Sequence, residues 1–291
     1  MDLQRLFTEP IISQISLNGH ASDVWLVTTE LGEYVARSSG VDDSVDAPFL
    51  WACKNLFGIE LSNTFDMEYT NNLLNGISNN ITIPNVINKG IIDGRQVVVV
   101  DRINGSNSNF LNAPPDMMED FGKSIAEIHS HKFQECGAPN GALRYSLEEF
   151  PQKLINAIQV LSSRYYISKP DIMNRVDYYC KLVSNMPIPN HASLIMLDMD
   201  SRQFLSDGKR VHAMIDTEAY ALGPREMDLI AIECCLDESG ATSFVRGYSS
   251  LLPFPDLTYV REVYRFLFCL LEIKGPDYDY NSWVSMKHLF N

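Results

Sequence analysis

The chain has 291 residues, of which 45% are apolar and 21% are charged. This length and composition suit one large domain or two coupled lobes with a sizeable core, and they exclude a mainly disordered chain. Acidic residues outnumber basic ones by 37 to 23, and the net charge of −14 opposes binding to nucleic acid or to anionic lipid. The same charge is compatible with a cationic substrate.

The cysteines and the N-terminus bear on the compartment. None of the six cysteines forms a C-x-x-C pair, so we expect free thiols in a reducing cytosol. The N-terminus lacks the basic start and apolar run of a signal peptide, and no stretch approaches the roughly 18 apolar residues of a membrane span. We therefore expect a cytoplasmic protein that is not embedded in a membrane.

The first hundred residues are predicted to be rich in strands. Alternating apolar positions indicate three strands, and Leu31-Gly32 marks a hairpin turn between the last two. Apolar side chains at helical spacing then indicate two helices, and a strand pair follows across an Asp93-Gly94 turn. The predicted strands are Ile11–Leu17, 23–29, 33–38, Val86–Ile92 and 96–101, and the predicted helices are 46–57 and 65–74.

The composition changes at 103–112, where asparagine and serine dominate. We place a lobe boundary there, with an N-lobe at 1–102 and a C-lobe at 103–291. The second part is mainly helical, but strand signals return at 194–197 and 211–215, with Asp207-Gly208 between them as a hairpin tip. The order of elements predicts an α+β protein with a β-rich first lobe and an α-rich second lobe.

Each of these two late strands ends in an aspartate, Asp198 and Asp216, 18 residues apart. A hairpin between the strands would bring both carboxylates to one ligand. Carboxylates with buried apolar neighbours are costly without a cationic partner, and magnesium takes one or two carboxylates together with phosphate oxygens. Aspartates at strand ends also cap turns, so this pattern alone leaves a metal site and a structural role open.

The residues around these aspartates resemble a known family. The pattern Asp198-x-x-x-x-Gln203-Phe-Leu resembles the D-x-x-x-x-N-[IV]-L loop of protein kinases and of the aminoglycoside phosphotransferase and choline kinase superfamily. Ile-Asp216-Thr-Glu218 resembles the I-D-[WFT]-E that follows it there, and 221–229 resembles the closing G-x-P-x-x-D-L-A segment through Asp228. Three motifs in one order with matching gaps form a specific signal.

Earlier segments resemble further parts of the same fold in the correct order, so that the match spans roughly residues 11 to 240. They are 19–25 for the loop that covers the phosphates, 34–37 for the strand that carries a lysine or arginine, 101–105 for the hinge between the lobes, and 124–129 for the L-A-x-L-H helix.

The resemblance implies a two-lobed protein-kinase-like fold and an enzyme that uses ATP (or GTP) and Mg²⁺ to phosphorylate a hydroxyl of a small molecule, such as an aminoglycoside or another amine-bearing metabolite. The resemblance implies that Asp198 is the catalytic group that accepts or orients the hydroxyl proton, and that Asp216 and Gln203 are metal ligands. It implies that Arg37 and Ser22 contact the nucleotide, that Glu68 is the helix-borne acid that positions Arg37, and that the backbone of Asp101 to Ile103 contacts adenine. It further implies that Asp228 braces the catalytic loop from beneath and that Asp200 and Glu218 lie on the substrate side.

The sequence departs from the family pattern at several positions. Met196 and Leu197 stand where the family has His-Gly, Gln203 replaces asparagine, and Arg37 replaces lysine. These changes support a second hypothesis, a pseudokinase that binds a nucleotide or a partner without turnover. A third hypothesis is an α+β binding protein whose motifs match by chance. The two kinase hypotheses require Asp198 and Asp216 to face one cleft between a sheet lobe and a helical lobe, and both fail if these residues point into separate environments.

Overall fold

The computed structural model describes residues 1–17, 22–41 and 45–290. Its first part is an antiparallel five-stranded sheet in the order β1-β2-β3-β5-β4, and two helices lie in the chain between β3 and β4. The sequence predicted all seven elements, with ends shifted by three residues or fewer. They are β1 Ile11–Leu17, β2 Ser22–Thr29, β3 Gly32–Ser39, α1 Pro48–Phe57, α2 Asp66–Ile77, β4 Val86–Ile92 and β5 Arg95–Asp101.

Strand β5, an interior strand of the sheet, is buried on both faces. Its four consecutive valines, 97–100, are at most 4% exposed, because β3 and β4 flank it and the two sheet faces are covered. Val97 and Val99 pack in the cluster beneath the N-terminal turn, whereas Val98 and Val100 pack with Met67 of α2. A run of four consecutive apolar residues in a strand is typical of burial on both faces, and the structure agrees.

The rest of the chain is mainly helical, with short strands near its start and middle. The helices follow apolar stripes at helical spacing, and most of their buried faces join one large core. The elements are β6 Ser106–Asn107, α3 Pro115–Ser130, β7 Glu135–Gly137, β8 Arg144–Ser146, α4 Phe150–Tyr165, α5 Pro170–Met173, α6 Val176–Ser184, β9 Ser193–Met196, β10 Phe204–Ser206, β11 Val211–Met214, β12 Tyr220–Gly223, α7 Arg225–Glu233, α8 Glu238–Ser249, α9 Arg261–Leu270 and α10 Tyr280–Val284.

Helix α1 lies in the predicted N-lobe but packs against the predicted C-lobe. Its buried residues Ala52, Cys53, Leu56 and Phe57 belong to the core of the helical part and not to the cores of the five-stranded sheet. The helix contacts α4 and β7 of the later half. The division at 102/103 therefore stays a prediction, while the sheet-rich first part and the helical second part are observed.

The predicted hairpin between 194–197 and 211–215 is wrong in its pairing. Strand β11 pairs with β10, and the Asp207-Gly208 tip belongs to that shorter hairpin. Strand β9 instead pairs with β12, which follows Asp216 in the chain. The apolar pattern located the strands but could not identify their partners, because β10 and β12 are strands that the sequence did not predict.

Two helices cross closely where glycines face each other. A Cβ on Gly122 of α3 would meet the backbone of Phe244, and one on Gly247 of α8 would meet the backbone of Glu119. Only hydrogen fits at these positions, so the two helix backbones approach directly. This contact fixes α3, whose C-terminal end carries His129 towards the candidate site. Within the described ranges, none of the helices combines the length and the apolar character needed to cross a membrane.

Candidate active site

Asp198 lies on a loop that is held from below. The strand before it ends at Met196, whose backbone N–H donates to Asp228 Oδ1 at 3.3 Å, and the Leu197 N–H donates to the Ala219 carbonyl at 2.8 Å. Asp228 is only 5% exposed and lies in the first turn of α7. The structure therefore places Asp228 beneath the loop, in the position that the sequence predicted for a brace.

Asp228 is itself held by a buried histidine. His129 is fully buried, and its Nε2 donates to Asp228 Oδ2 at 3.0 Å, because a carboxylate can only accept. Its Nδ1 lies 3.1 Å from the hydroxyl of Tyr248, which also accepts from Arg225. This chain of bonds ties the loop that carries Asp198 to α3, α7 and α8, so the position of Asp198 depends on the packing of the helical part.

The carboxyl of Asp198 is in an unfavourable setting for charge. Burial, reinforced by the nearby Asp216 and Asp200 carboxylates, raises its pKa from an ordinary value near 3.8 to about 6. Gln203 moderates this by donating from Nε2 to Asp198 Oδ2 at 3.3 Å. At neutral pH the group is ionised but more basic than an ordinary carboxylate, which is useful in a group that accepts a proton.

Gln203 also joins the two loops that carry the aspartates. Its backbone carbonyl accepts from the Ile215 N–H at 2.9 Å, immediately before Asp216. Its side-chain Oε1 is buried and has no hydrogen-bond partner in the described part of the chain. Since Nε2 is committed to Asp198, Oε1 is an unused oxygen near the carboxylate of Asp198, which lies close enough to Asp216 to feel its charge. Such an oxygen set fits a hard cation such as Mg²⁺.

Arg37 is the residue of strand β3 through which the sheet contacts this site. Its guanidinium donates to the Ile215 carbonyl at 2.6 Å and to Asp216 Oδ1 at 3.1 Å, and it lies 3.4 Å from Glu218 Oε1. Burial would lower its pKa, but the two carboxylates outweigh burial and raise it. Its Nε is buried without a hydrogen-bond partner among the described residues, so one more donor is available for a ligand.

Ser22 and Glu218 complete this cluster. The Ser22 hydroxyl donates to Glu218 Oε2 at 3.1 Å across the two halves of the chain. Burial, opposed by Arg37, raises the pKa of Glu218. Gly19, His20 and Ala21 of the predicted phosphate-covering loop lie outside the described residues. The sequence placed Glu218 with the substrate; the structure places its carboxylate against Arg37 and Ser22.

The predicted pair of Glu68 and Arg37 is not what the structure shows. Glu68 forms an ion pair with Lys89 of β4 on the solvent side of α2. The physical reason is the rotation of the helix, because Met67, Asn71 and Leu74 form its buried face and Glu68 lies away from it.

Asn71 is the polar residue of α2 that the sequence interpretation missed. It is 1% exposed, donates to the Pro84 carbonyl at 2.7 Å and accepts from the Thr217 hydroxyl. It therefore supports the segment between Asp216 and Glu218. A signal was present, since Asn71 is a polar residue on the apolar stripe that runs through Met67 and Leu74.

The remaining predicted residues are Asp200, Asp101 and Ile103, and the contacts of the first two are with other parts of the chain. The Asp200 carboxylate accepts from the backbone N–H of Arg202 at 2.8 Å, from its Nε at 3.0 Å to each oxygen, and from its NH2 at 2.6 Å. It therefore caps the short turn that follows Asp198. Asp101 ends β5, and its carboxylate accepts from Asn85 at 2.7 Å. Ile103 follows in the connection to β6, and the fold brings this connection to the junction with β10.

Comparisons with known proteins give a consistent fold. No protein-family model matches this chain, and no curated protein sequence matches it. Solved structures do match. The macrolide 2'-phosphotransferase MphH from Brachybacterium faecium is 11% identical, with a TM-score of 0.65 over 94% of this chain and 88% of that one.

Two further solved structures give the same result. The spectinomycin phosphotransferase APH(9)-Ia in complex with ADP and spectinomycin is 14% identical, with a TM-score of 0.62 over 93% of this chain and 84% of that one. The aminoglycoside phosphotransferase APH(4)-Ia is 15% identical, with a TM-score of 0.62 over 92% of this chain and 86% of that one. The chain therefore has the two-lobed, kinase-like α+β fold of the aminoglycoside and macrolide phosphotransferases.

Proposed function

We propose that this chain is a phosphotransferase that uses ATP (or GTP) and Mg²⁺ to phosphorylate a hydroxyl of a small molecule, and that it is a divergent member of the aminoglycoside phosphotransferase superfamily. The observation that carries the proposal is the convergence of Asp198, Gln203, Asp216 and Arg37 where the sheet meets the helical part. The fold that it shares with known phosphotransferases supports the same conclusion.

The residues fit this chemistry. Asp198, ionised above a pKa of about 6, would accept the proton of the substrate hydroxyl as its oxygen bonds to the γ-phosphorus and the bond from that phosphorus to the leaving nucleoside diphosphate breaks. Arg37 would contact the phosphates through its unused Nε and its guanidinium edge. Asp228 would keep Asp198 in place through the Met196 N–H.

Gln203 Oε1 and Asp216 would hold Mg²⁺, which when bound neutralises phosphate charge. The test of fit is the buried, unpartnered Gln203 Oε1 together with Asp216, whose side chain is 40% exposed and therefore accessible to an incoming ligand. Ser22 is a further proposed nucleotide contact at the start of β2, and the backbone of Asp101 to Ile103 is the proposed adenine contact.

The substrate is proposed only by class. A small molecule that bears a hydroxyl is required, and the net charge of −14 favours an acceptor with amine groups over an anionic one. Asp200 is the remaining proposed group on the substrate side. We also propose residues 1–102 and 103–291 as the two lobes and the cytoplasm as the compartment.

A specific observation also supports the alternative of a pseudokinase. Arg37 already occupies the Asp216 carboxylate that a metal ion would need, and Met196 stands where the family has histidine. In that alternative the protein binds a nucleotide, or a partner, and does not transfer phosphate.

One set of measurements separates these functions. We expect ATP or GTP to bind to the wild-type protein more tightly with Mg²⁺ than with EDTA, and we expect release of nucleoside diphosphate with some members of a library of hydroxyl-bearing amines and sugars. Asp198→Asn should retain nucleotide binding and lose transfer. Binding without transfer to any acceptor supports the pseudokinase, and neither binding nor transfer contradicts both functions.

A further inference from the structure

We propose that Glu218, and not an acid of helix α2, is the residue that positions Arg37 for the nucleotide phosphates. This inference rests on the proposed function and adds a positioning residue to it. Glu218 lies two residues after the proposed metal ligand Asp216, on the helical side of the site, whereas Arg37 lies on strand β3 of the sheet. The pair therefore links the two halves of the molecule.

The first step concerns burial. The side chain of Glu218 is 14% exposed and that of Arg37 is 9% exposed, and their nearest atoms are 3.4 Å apart. An ion pair in such a setting is far less screened than one at the surface, so removal of Glu218 costs more than the loss of an exposed partner and leaves Arg37 dependent on Asp216. The rival acid, Glu68, is 39% exposed and is already paired with Lys89.

The second step concerns how firmly Glu218 is held. Ser22 donates to its Oε2, and its Oε1 lies 3.4 Å from the Arg37 guanidinium as an ion-pair partner without a hydrogen bond among the described residues. Asn71 holds the adjacent Thr217 through the threonine hydroxyl. Glu218 is thus fixed on both sides, as a group that orients another must be.

The third step concerns the competition for Asp216. Arg37 lies between two carboxylates, so the three side chains carry a formal charge of −1 and can accept one further cation. Asp216 is the more exposed of the two acids, at 40%, and is the one able to turn towards a metal ion. When it does so, Glu218 remains as the partner that keeps Arg37 beside the phosphates. Glu218 therefore acts through Arg37.

The experiment compares Glu218→Gln with Glu68→Gln and with Glu60→Gln, a matched control at an exposed pair with Lys54. Binding of MgADP and of adenosine is measured by calorimetry for each variant. We expect Glu218→Gln to weaken MgADP binding about tenfold and to leave adenosine binding within twofold of wild type, because adenosine has no phosphate for Arg37. A merely structural role would weaken both ligands together.

A double variant tests whether the effect passes through Arg37. In an Arg37→Ala background, Glu218→Gln should cause no further loss of MgADP affinity. Glu218→Asp, which keeps the charge, should recover part of the affinity that Glu218→Gln loses. Wild-type protein that binds no nucleotide would contradict the proposed function itself. If wild-type protein binds MgADP, three results overturn the role of Glu218 alone. They are weakened binding in Glu68→Gln, unchanged binding in Glu218→Gln, and an equal loss of MgADP and adenosine binding in Glu218→Gln.

Discussion

The amide of Gln203 donates from Nε2 to Oδ2 of Asp198 at 3.3 Å, and this contact leaves the other end of the amide, Oε1, buried without a hydrogen-bond partner among the described residues. A buried acceptor that makes no bond costs free energy, so such an atom indicates a missing ligand. The longer side chain of glutamine thus serves two groups at once: it stabilises the ionised form of Asp198 and presents an oxygen towards the proposed metal position.

Gln203→Ala is expected to weaken Mg²⁺-dependent nucleotide binding, because it removes that oxygen. The loss should exceed the roughly tenfold that changes outside the first ligand sphere of a metal already cause. Titrating the nucleotide with and without Mg²⁺ measures it. Binding in EDTA should change little, and an equal loss in both conditions would show that Gln203 supports the fold and does not hold the metal.

Asp198→Asn is expected to stabilise the metal-free protein while removing transfer. The pKa of this carboxyl rises from about 3.8 when unfolded to about 6 when folded. Between these two pH values the unfolded chain loses the Asp198 proton while the folded protein still holds it. The wild-type protein is therefore destabilised progressively as the pH rises from 3.8 to 6, and this loss of stability persists above pH 6. With allowance for solvent access, the gain at pH 8 should be about 1 to 2 kcal/mol.

Thermal unfolding in EDTA checks this sign. The variant should unfold about 2 to 3 °C higher than wild type at pH 8. The difference should vanish near a pH of about 3, where Asp198 is protonated in both the folded and the unfolded protein. A difference that is independent of pH would show that the substitution acts by packing. A variant less stable than wild type at pH 8 would contradict the raised pKa.

The sequence located most of the elements and the two hairpins of the first sheet, but not the partners of the late strands. Apolar periodicity placed β1 to β5 within a few residues of their observed ends. It could do so because apolar side chains recur every second residue in a half-buried strand and every three to four residues in a half-buried helix. It could not show that β9 pairs with β12, since pairing depends on tertiary packing. Asp198 and Asp216 consequently approach by a route different from the predicted hairpin, although both were identified from their positions at strand ends.

The rotation of α2 explains the wrong choice of acid. A helix-borne carboxylate near residue 68 was a reasonable prediction from the resemblance alone, but Met67 and Leu74 decide which face of the helix is buried. With those two inside, Asn71 is inside as well and Glu68 is outside. The apolar stripe of α2 can be identified in the sequence. The contact between Glu218 and Arg37 joins positions 181 residues apart, so it can be known only once the two lobes are assembled.

The C-terminal segment is held by one buried carboxylate, and its loss should be costly. Glu233 Oε1 accepts from the backbone N–H groups of Leu289 and Phe290 at 2.9 and 2.8 Å, while Oε2 accepts from Arg265 at 2.9 Å and Arg261 at 3.2 Å. Glu233→Ala leaves both guanidinium groups buried without their acid and releases the segment. The cost should be about 3 to 5 kcal/mol.

Urea unfolding of Glu233→Ala measures this cost, with Glu238→Gln as the control. Glu238 is 73% exposed and pairs with Lys287 of the same segment, so its neutralisation should change the free energy of unfolding by less than about 1 kcal/mol. Hydrogen exchange should show faster exchange at 289 and 290 in Glu233→Ala only. Equal, small effects of the two substitutions would show that the segment is held by its apolar contacts.

The crossing of α3 and α8 gives a prediction that is independent of the active site. Gly247→Ala places a methyl group against the backbone of Glu119, and a backbone cannot move aside as a flexible side chain can, so the helices must separate. The expected loss is about 2 to 3 kcal/mol. Gly76→Ala in α2 is the matched control, because its methyl would have no atom within 4 Å. Alanine there should instead stabilise the helix by about 0.5 to 1 kcal/mol. Chemical denaturation measures the change in the free energy of unfolding for both variants. If Gly247→Ala destabilises the protein while Gly76→Ala stabilises it, the close approach of the helices controls the outcome at Gly247. If both substitutions change stability in the same direction, the loss of glycine flexibility controls it.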